Sequence, residues 1–177
     1  AKQGWHAAVK SIGNSATTPR DLLSDEDVWL MLVILSESVA SRMRELAMKC
    51  TVVEISVRDK DLCSFIRQRK LETPTCYSME IAQAAFALFK ASYSWAKPLR
   101  SIGVRGSNLV SADSAIQLSL LSNEENRERH ERLDHAVDVI RDRYGYTSLQ
   151  RAIVYTDHKL GRVNPTEHTI QDRKSVV

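Results

Sequence analysis

The sequence predicts an α+β domain that runs β-α-β-β-α-β and then continues into a helical extension. Apolar residues recur at helical spacing in two segments, near 24–46 and 78–92. Two other segments, Thr51 to Arg58 and Leu99 to Val104, alternate apolar and polar residues with the two-residue period of a half-buried strand. Prolines and turn-forming residues separate most of these segments in that order.

Ser11 to Thr18 is the first strand. After Pro19-Arg20-Asp21, Ser24 and Asp27 have the spacing of a capping box, and Val28, Leu32, Leu35, Val39, Met43 and Leu46 follow as one face of a long amphipathic helix. From Thr51 to Arg58 the period drops to two, with Val53, Ile55 and Val57 on the apolar side. Asp59-Lys60-Asp61 reads as a turn, and Leu62 to Leu71 as a basic second arm of a hairpin. Pro74 and Thr75 end that strand. Ser78, Ile81, Ala82, Ala85, Leu88, Phe89 and Ser92 mark a second helix whose small residues suit close packing on a sheet. Pro98 precedes the fourth strand, Leu99 to Val104. This order is the ferredoxin-like one: both helices cover one sheet face and the other stays open. Ser122 and Glu125 open a further helix, with Leu133, Val137 and Ile140 on one face and Gly145 at its end. Thr156 to Val177 lacks periodicity and reads as a loose tail.

At 177 residues the chain holds one core plus extensions, and its net charge of +3 is modest. The charges are sorted, however. Residues 1–20, 49–70 and 95–110 together hold twelve cations and three acids, while 21–46 and 122–145 are net acidic. Such sorting suits a field aimed at a polyanion. Cys50, Cys63 and Cys76 have neither zinc-knuckle spacing nor an even count, which fits a reduced, cytoplasmic setting. Cys63 has no His/Asp partner spaced to activate it. The longest apolar run, Val28 to Leu35, is far short of the roughly 20 residues a membrane helix needs, so a soluble protein is expected. Ala1 in place of Met suggests a processed chain or a piece of a longer one.

The alternation implies an open face carrying Ser15, Thr17, Glu54, Ser56, Arg58, Arg67, Arg69, Ser101 and Arg105, with Gly13 and Gly103 leaving room for backbone approach. Hydroxyls and guanidinium groups satisfy phosphate oxygens. The face lacks the stacking aromatics of an RNA-recognition sheet, since only Phe65 falls on the hairpin strands. Non-specific duplex binding is therefore expected over single-strand recognition. Other constellations carry less: His130 and His135 are five apart and diverge on a helix. Asp134 and Asp138 share a face near Arg132 and Arg141, which suits solvated ion pairs. Trp5, Trp29 and Trp95 are too scattered to form a stacking platform.

Four separated motifs resemble a known family in its order: Lys10-Ser11-Ile12-Gly13-Asn14-Ser15; Arg58; Ile66-Arg67-Gln68-Arg69-Lys70-Leu71 before Pro74-Thr75; and Pro98-Leu99-Arg100-Ser101-Ile102-Gly103-Val104. They are similar to the little-finger domain of Y-family DNA polymerases of the bacterial DinB/UmuC (ImpB/MucB/SamB) type. The resemblance runs from about Lys10 to Ala152, including Arg141-Asp142-Arg143-Tyr144-Gly145. Asn14 departs from it, standing where an acidic or bulkier residue is usual. The resemblance implies a sheet that grips primer-template DNA, with Lys10, Ser11, Ser15, Thr17, Arg58, Arg67, Arg69, Ser101, Gly103 and Arg105 as DNA contacts. It also implies a parent enzyme that performs templated nucleotidyl transfer past lesions, in DNA repair and the SOS response.

That chemistry needs carboxylates holding two metal ions on a palm. Ser24-Asp25-Glu26-Asp27 opens a helix instead and reads as a cap. This chain is expected to hold no cofactor and to be inactive alone, with magnesium and the palm, fingers and thumb supplied by the parent polymerase. Gln117-Leu118-Ser119-Leu120-Leu121 resembles the peptide with which bacterial polymerases bind the sliding clamp, with Leu121 in place of the usual Phe. The alternative is that these leucines pack the following helix onto the domain. The expected organisation is a linker at 1–9, the DNA-binding domain at 10–110, a connecting segment at 111–121, a helical extension at 122–155 and a tail at 156–177. A rival reading is a non-catalytic ferredoxin-like module that dimerises through its sheet.

Overall fold

The computed structural model describes residues 9–114 and 124–166. The elements follow the predicted order: β1 (Ser11–Leu22), α1 (Asp25–Glu45), β2 (Met48–Asp59), β3 (Ser64–Thr75), α2 (Ser78–Ser92) and β4 (Leu99–Ser111). After these come α3 (Glu124–Tyr144) and three short 3-10 turns, the last at Leu160–Arg162. The strands form one antiparallel sheet in the order β1-β4-β2-β3. α1 packs on β1 and β4, α2 packs on β2 and β3, and the two helices pack against each other. Both therefore lie on one face. The strands outrun their periodic stretches: β1 continues to Leu22 and β4 to Ser111.

Local chemistry accounts for the junctions. Asp59 turns the β2–β3 hairpin, its Oδ1 accepting from the backbone N–H groups of Asp61 (2.9 Å) and Cys63 (3.0 Å). Ser24 caps α1, its hydroxyl accepting from the N–H of Asp27 at 3.3 Å. The Asp27 carboxylate takes both Nη atoms of Arg20 at 2.8 and 2.6 Å. Asp25 is occupied by Lys90 and by the indole N–H of Trp95.

α1 is not the amphipathic helix its spacing suggests. Val28, Leu32, Leu35, Val39 and Met43 are buried as expected, but so are Leu30, Met31, Val33, Ile34, Ser36, Glu37, Ser38 and Ala40, whereas Leu46 is 48% exposed. The run Leu30 to Leu35 has no polar side, and a helix apolar all round must be covered all round. Sheet and α2 cover part of it. Residues 152–162 cover more, with Val154 and fully buried Leu160 joining the core. Residues 156–166 are thus a packed strap rather than a loose tail. Arg20 holds Asp157 at 2.7 Å, and the Asn14 amide donates to the carbonyl of Pro165 at 2.9 Å.

α3 docks through its charged side. Arg127 meets Glu80, Glu131 meets Lys49, Asp134 and Asp138 meet Arg44, and Arg141 meets Glu37. These positions recur at intervals of four, three, four and three, which is one helical face. The expected packing stripe lies elsewhere: Leu133 is 57% and Ile140 40% exposed, and only Val137 is half-buried. Asp134 and Asp138 are accordingly tertiary ligands of an arginine on α1 rather than solvated partners of Arg132 and Arg141. Ser122, expected to cap this helix, lies outside the described residues. Among the described residues no helix is long and apolar enough to cross a membrane.

Candidate nucleic-acid interface

In an antiparallel sheet, residues directly opposite each other point to the same face. The registers of β1 with β4, β4 with β2, and β2 with β3 therefore assemble four rows across the open face. These rows are Thr17, Ser101, Arg58, Ser64; then Ser15, Gly103, Ser56, Ile66; then Gly13, Arg105, Glu54, Gln68; then Ser11, Ser107, Val52, Lys70. Seven of the sixteen are hydroxyl residues, three are cations and one is an acid. Nearly every donor type a phosphate backbone can use is present.

The sequence placed most of this correctly. Ser11, Ser15, Thr17, Arg58, Ser101 and Arg105 share the face, and the two Ser-Ile-Gly copies lie on paired strands, with Ser15 opposite Gly103. Lys10 is exposed immediately before β1.

Arg67 and Arg69 do not share it. They pair with Ile55 and Val53, which are buried beneath the helices, so both arginines project to the helix side of the sheet. The Arg67 guanidinium sits 5.4 Å from the centre of the Phe65 ring, and Phe65 stacks on Tyr93. β3 is also an edge strand, separated from β4 by the whole of β2, so these arginines do not adjoin the serine-glycine patch. The cation that β3 contributes to the open face is Lys70, with Ser64 and Gln68. Along β3 only Phe65 and Leu71 rest partly buried on the helix side, and the residues between them are exposed, so no continuous buried stripe marks the phase.

The two glycines also act differently from expectation. Gly103 is buried, and a Cβ there would stand 2.4 Å from the Ser56 hydroxyl and 2.9 Å from the Ser15 Cβ. The missing side chain makes room for two protein hydroxyls and does not bare the backbone. A Cβ on Gly13 would lie 3.1–3.2 Å from Arg105 Cβ, Cγ and Nε, so Gly13 is the notch beside which Arg105 rises. Asn14 faces the helices, donating to Ser38 Oγ at 3.0 Å. Among the thiols, Cys63 is exposed, whereas burial pushes Cys50 up to about 12 and Cys76 to about 11. Residues 117–121, the clamp-peptide resemblance, lie outside the described residues.

Known proteins share sequence with most of this chain. The impB/mucB/samB family C-terminal domain matches residues 9–120. A DNA polymerase IV of Acetivibrio thermocellus is 42% identical over 163 residues, 92% of this chain and 41% of that protein. DNA polymerase IV 2 of Halalkalibacterium halodurans is 34% identical over 153 residues, 85% of this chain and 36% of that protein. A solved Y-family DNA polymerase chimera aligns with TM-score 0.48 and 14% identity, over 59% of this chain and 30% of that one. The chain spans about two fifths of the length of the curated relatives it matches. It belongs to the impB/mucB/samB family and carries that family's C-terminal domain.

Proposed function

We propose that the open sheet face holds the sugar-phosphate backbone of primer-template duplex without reading its sequence. The composition of the four rows carries this reading: ten hydroxyl or cationic residues against one acid, on the face opposite α1 and α2. A sheet built to dimerise would present contiguous apolar residues, and the face has only Val52 and Ile66, in different rows. The domain's contribution is affinity and placement. In a parent chain like the relatives, the same placement serves templated nucleotidyl transfer past damaged bases in DNA repair and the SOS response. The metal-binding palm, with its magnesium, belongs to that parent, which is cytoplasmic. The segment Gln117 to Leu121 tethers it to the sliding clamp.

Fluorescence anisotropy on a labelled duplex tests the DNA reading. Binding falls steeply with salt, and Arg58→Ala with Lys70→Ala lowers the log–log slope by about 2, one unit for each phosphate contact removed. Arg67→Ala with Arg69→Ala, changed on the other face, measures whether the helix side of β3 also meets DNA. Salt-independent binding, or none in dilute salt, refutes the reading.

A further inference from the structure

Glu54 is the one acid among the sixteen open-face positions, and it sits on a central strand where a duplex would pass closest. Its carboxylate lies 3.7 Å from Arg105 Nε, directly across from it in the β2–β4 register. Glu54 is the more enclosed partner, its side chain 20% exposed against 52% for Arg105. The Arg105 side chain lies over Gly13, whose missing Cβ makes room for its Cβ, Cγ and Nε: a Cβ there would stand 3.1–3.2 Å from all three. Arg105 is therefore laid across Gly13 with its Nε beside an acid, while half of its side chain stays exposed to whatever meets the face.

We infer that Glu54 is a positioning residue that parks Arg105 and limits the grip of the face on DNA. The inference rests on the DNA-holding reading above. Two effects act in the same direction. A phosphate must compete with Glu54 for the Arg105 guanidinium, and Glu54 itself repels any phosphate brought within a Debye length. A sheet made only of hydroxyls and cations would hold one segment of duplex tightly. A polymerase domain must release and re-form the same contacts as the duplex advances, and an internal anion that takes back the arginine at each release serves that cycle.

The test is anisotropy on the full 177-residue chain, using a fluorescein-labelled duplex across a salt series. Glu54→Gln keeps the side-chain size and removes the charge. It tightens binding by about two- to fivefold, the range an exposed ion pair spans. It also steepens the log–log salt slope by about one unit, as Arg105 gains a phosphate. Arg105→Ala in the Glu54→Gln background removes the added slope, whereas Arg105→Ala in the wild-type background changes the slope less. Salt-dependent wild-type binding that Glu54→Gln leaves unchanged or weakens overturns the role of Glu54 alone. Wild-type binding that is absent or indifferent to salt overturns the DNA reading and this inference with it. A Glu54→Gln gain that survives Arg105→Ala in full overturns the parking of Arg105.

Discussion

Asp134 of α3 accepts hydrogen bonds from both the backbone N–H and the hydroxyl of Ser78, at 2.9 and 2.7 Å, in the first turn of α2. Tyr77, the residue at the cap position of α2, makes no side-chain capping bond, so a carboxylate from another helix does that work. The same carboxylate meets Arg44 and Arg151 at 3.2 Å each. Glu37 in turn binds Arg141 and Arg151. One polar network thus joins α1, α2, α3 and Arg151 in the segment that follows α3.

Asp134→Ala leaves two arginines and the first amide of α2 short of a partner in a buried site. Breaking a buried pair by removing one side costs roughly 3–5 kcal/mol, and urea denaturation should show a loss of that order. Asp134→Asn retains an acceptor for Ser78 and loses less. Equal stability of wild type and Asp134→Ala would mean that α3 is not held by this network.

Asp157 receives backbone N–H groups from Leu160 and Lys159 and the Arg20 guanidinium, which hold its carboxyl down at about 2. A carboxyl depressed on folding contributes stability above its unfolded pKa and loses it as pH falls through the folded one. The contribution is therefore complete above about pH 4 and fades toward pH 2. Melting temperatures of wild type and Asp157→Asn should diverge at neutral pH and converge in this acid window. A constant difference down to pH 2 would contradict the assignment.

Gly103→Ala places a methyl 2.9 Å from the Ser15 Cβ and 2.4 Å from the Ser56 hydroxyl. The hydroxyl can rotate away, but the Cβ of a paired strand cannot. Overpacking of this kind costs roughly 1–3 kcal/mol, and Ser15→Gly should recover part of it in the same denaturation assay.

For the clamp segment, Gln117→Ala with Leu120→Ala should abolish co-elution with a bacterial sliding clamp on gel filtration while leaving duplex binding intact. Undiminished co-elution would place the clamp contact elsewhere on the chain.

How much of this was legible beforehand follows from where apolar burial leaves a mark. β2 shows its phase plainly because Val53, Ile55 and Val57 enter the core. β3 shows it weakly: Phe65 and Leu71 rest partly buried against the core, but the five residues between them are exposed, and it is the pairing with β2 that sets Lys70 on the open side and Arg67 and Arg69 on the other. α3 misleads for a related reason. Hydrophobic periodicity assumes that the buried face is apolar, and here the docked face is the ionic one, with Leu133 and Ile140 left in solvent.

By itself the sequence determined the element order, the α+β class and the family, because period, caps and short motifs are local properties. Tertiary structure alone decided strand order, the side of the sheet that each β3 cation occupies, the crowding over Gly103, and the strap that makes α1 a central helix. Those depend on which distant residues meet, and register, long-range ion pairs and mutual covering of apolar surface are pairwise facts that no single segment contains.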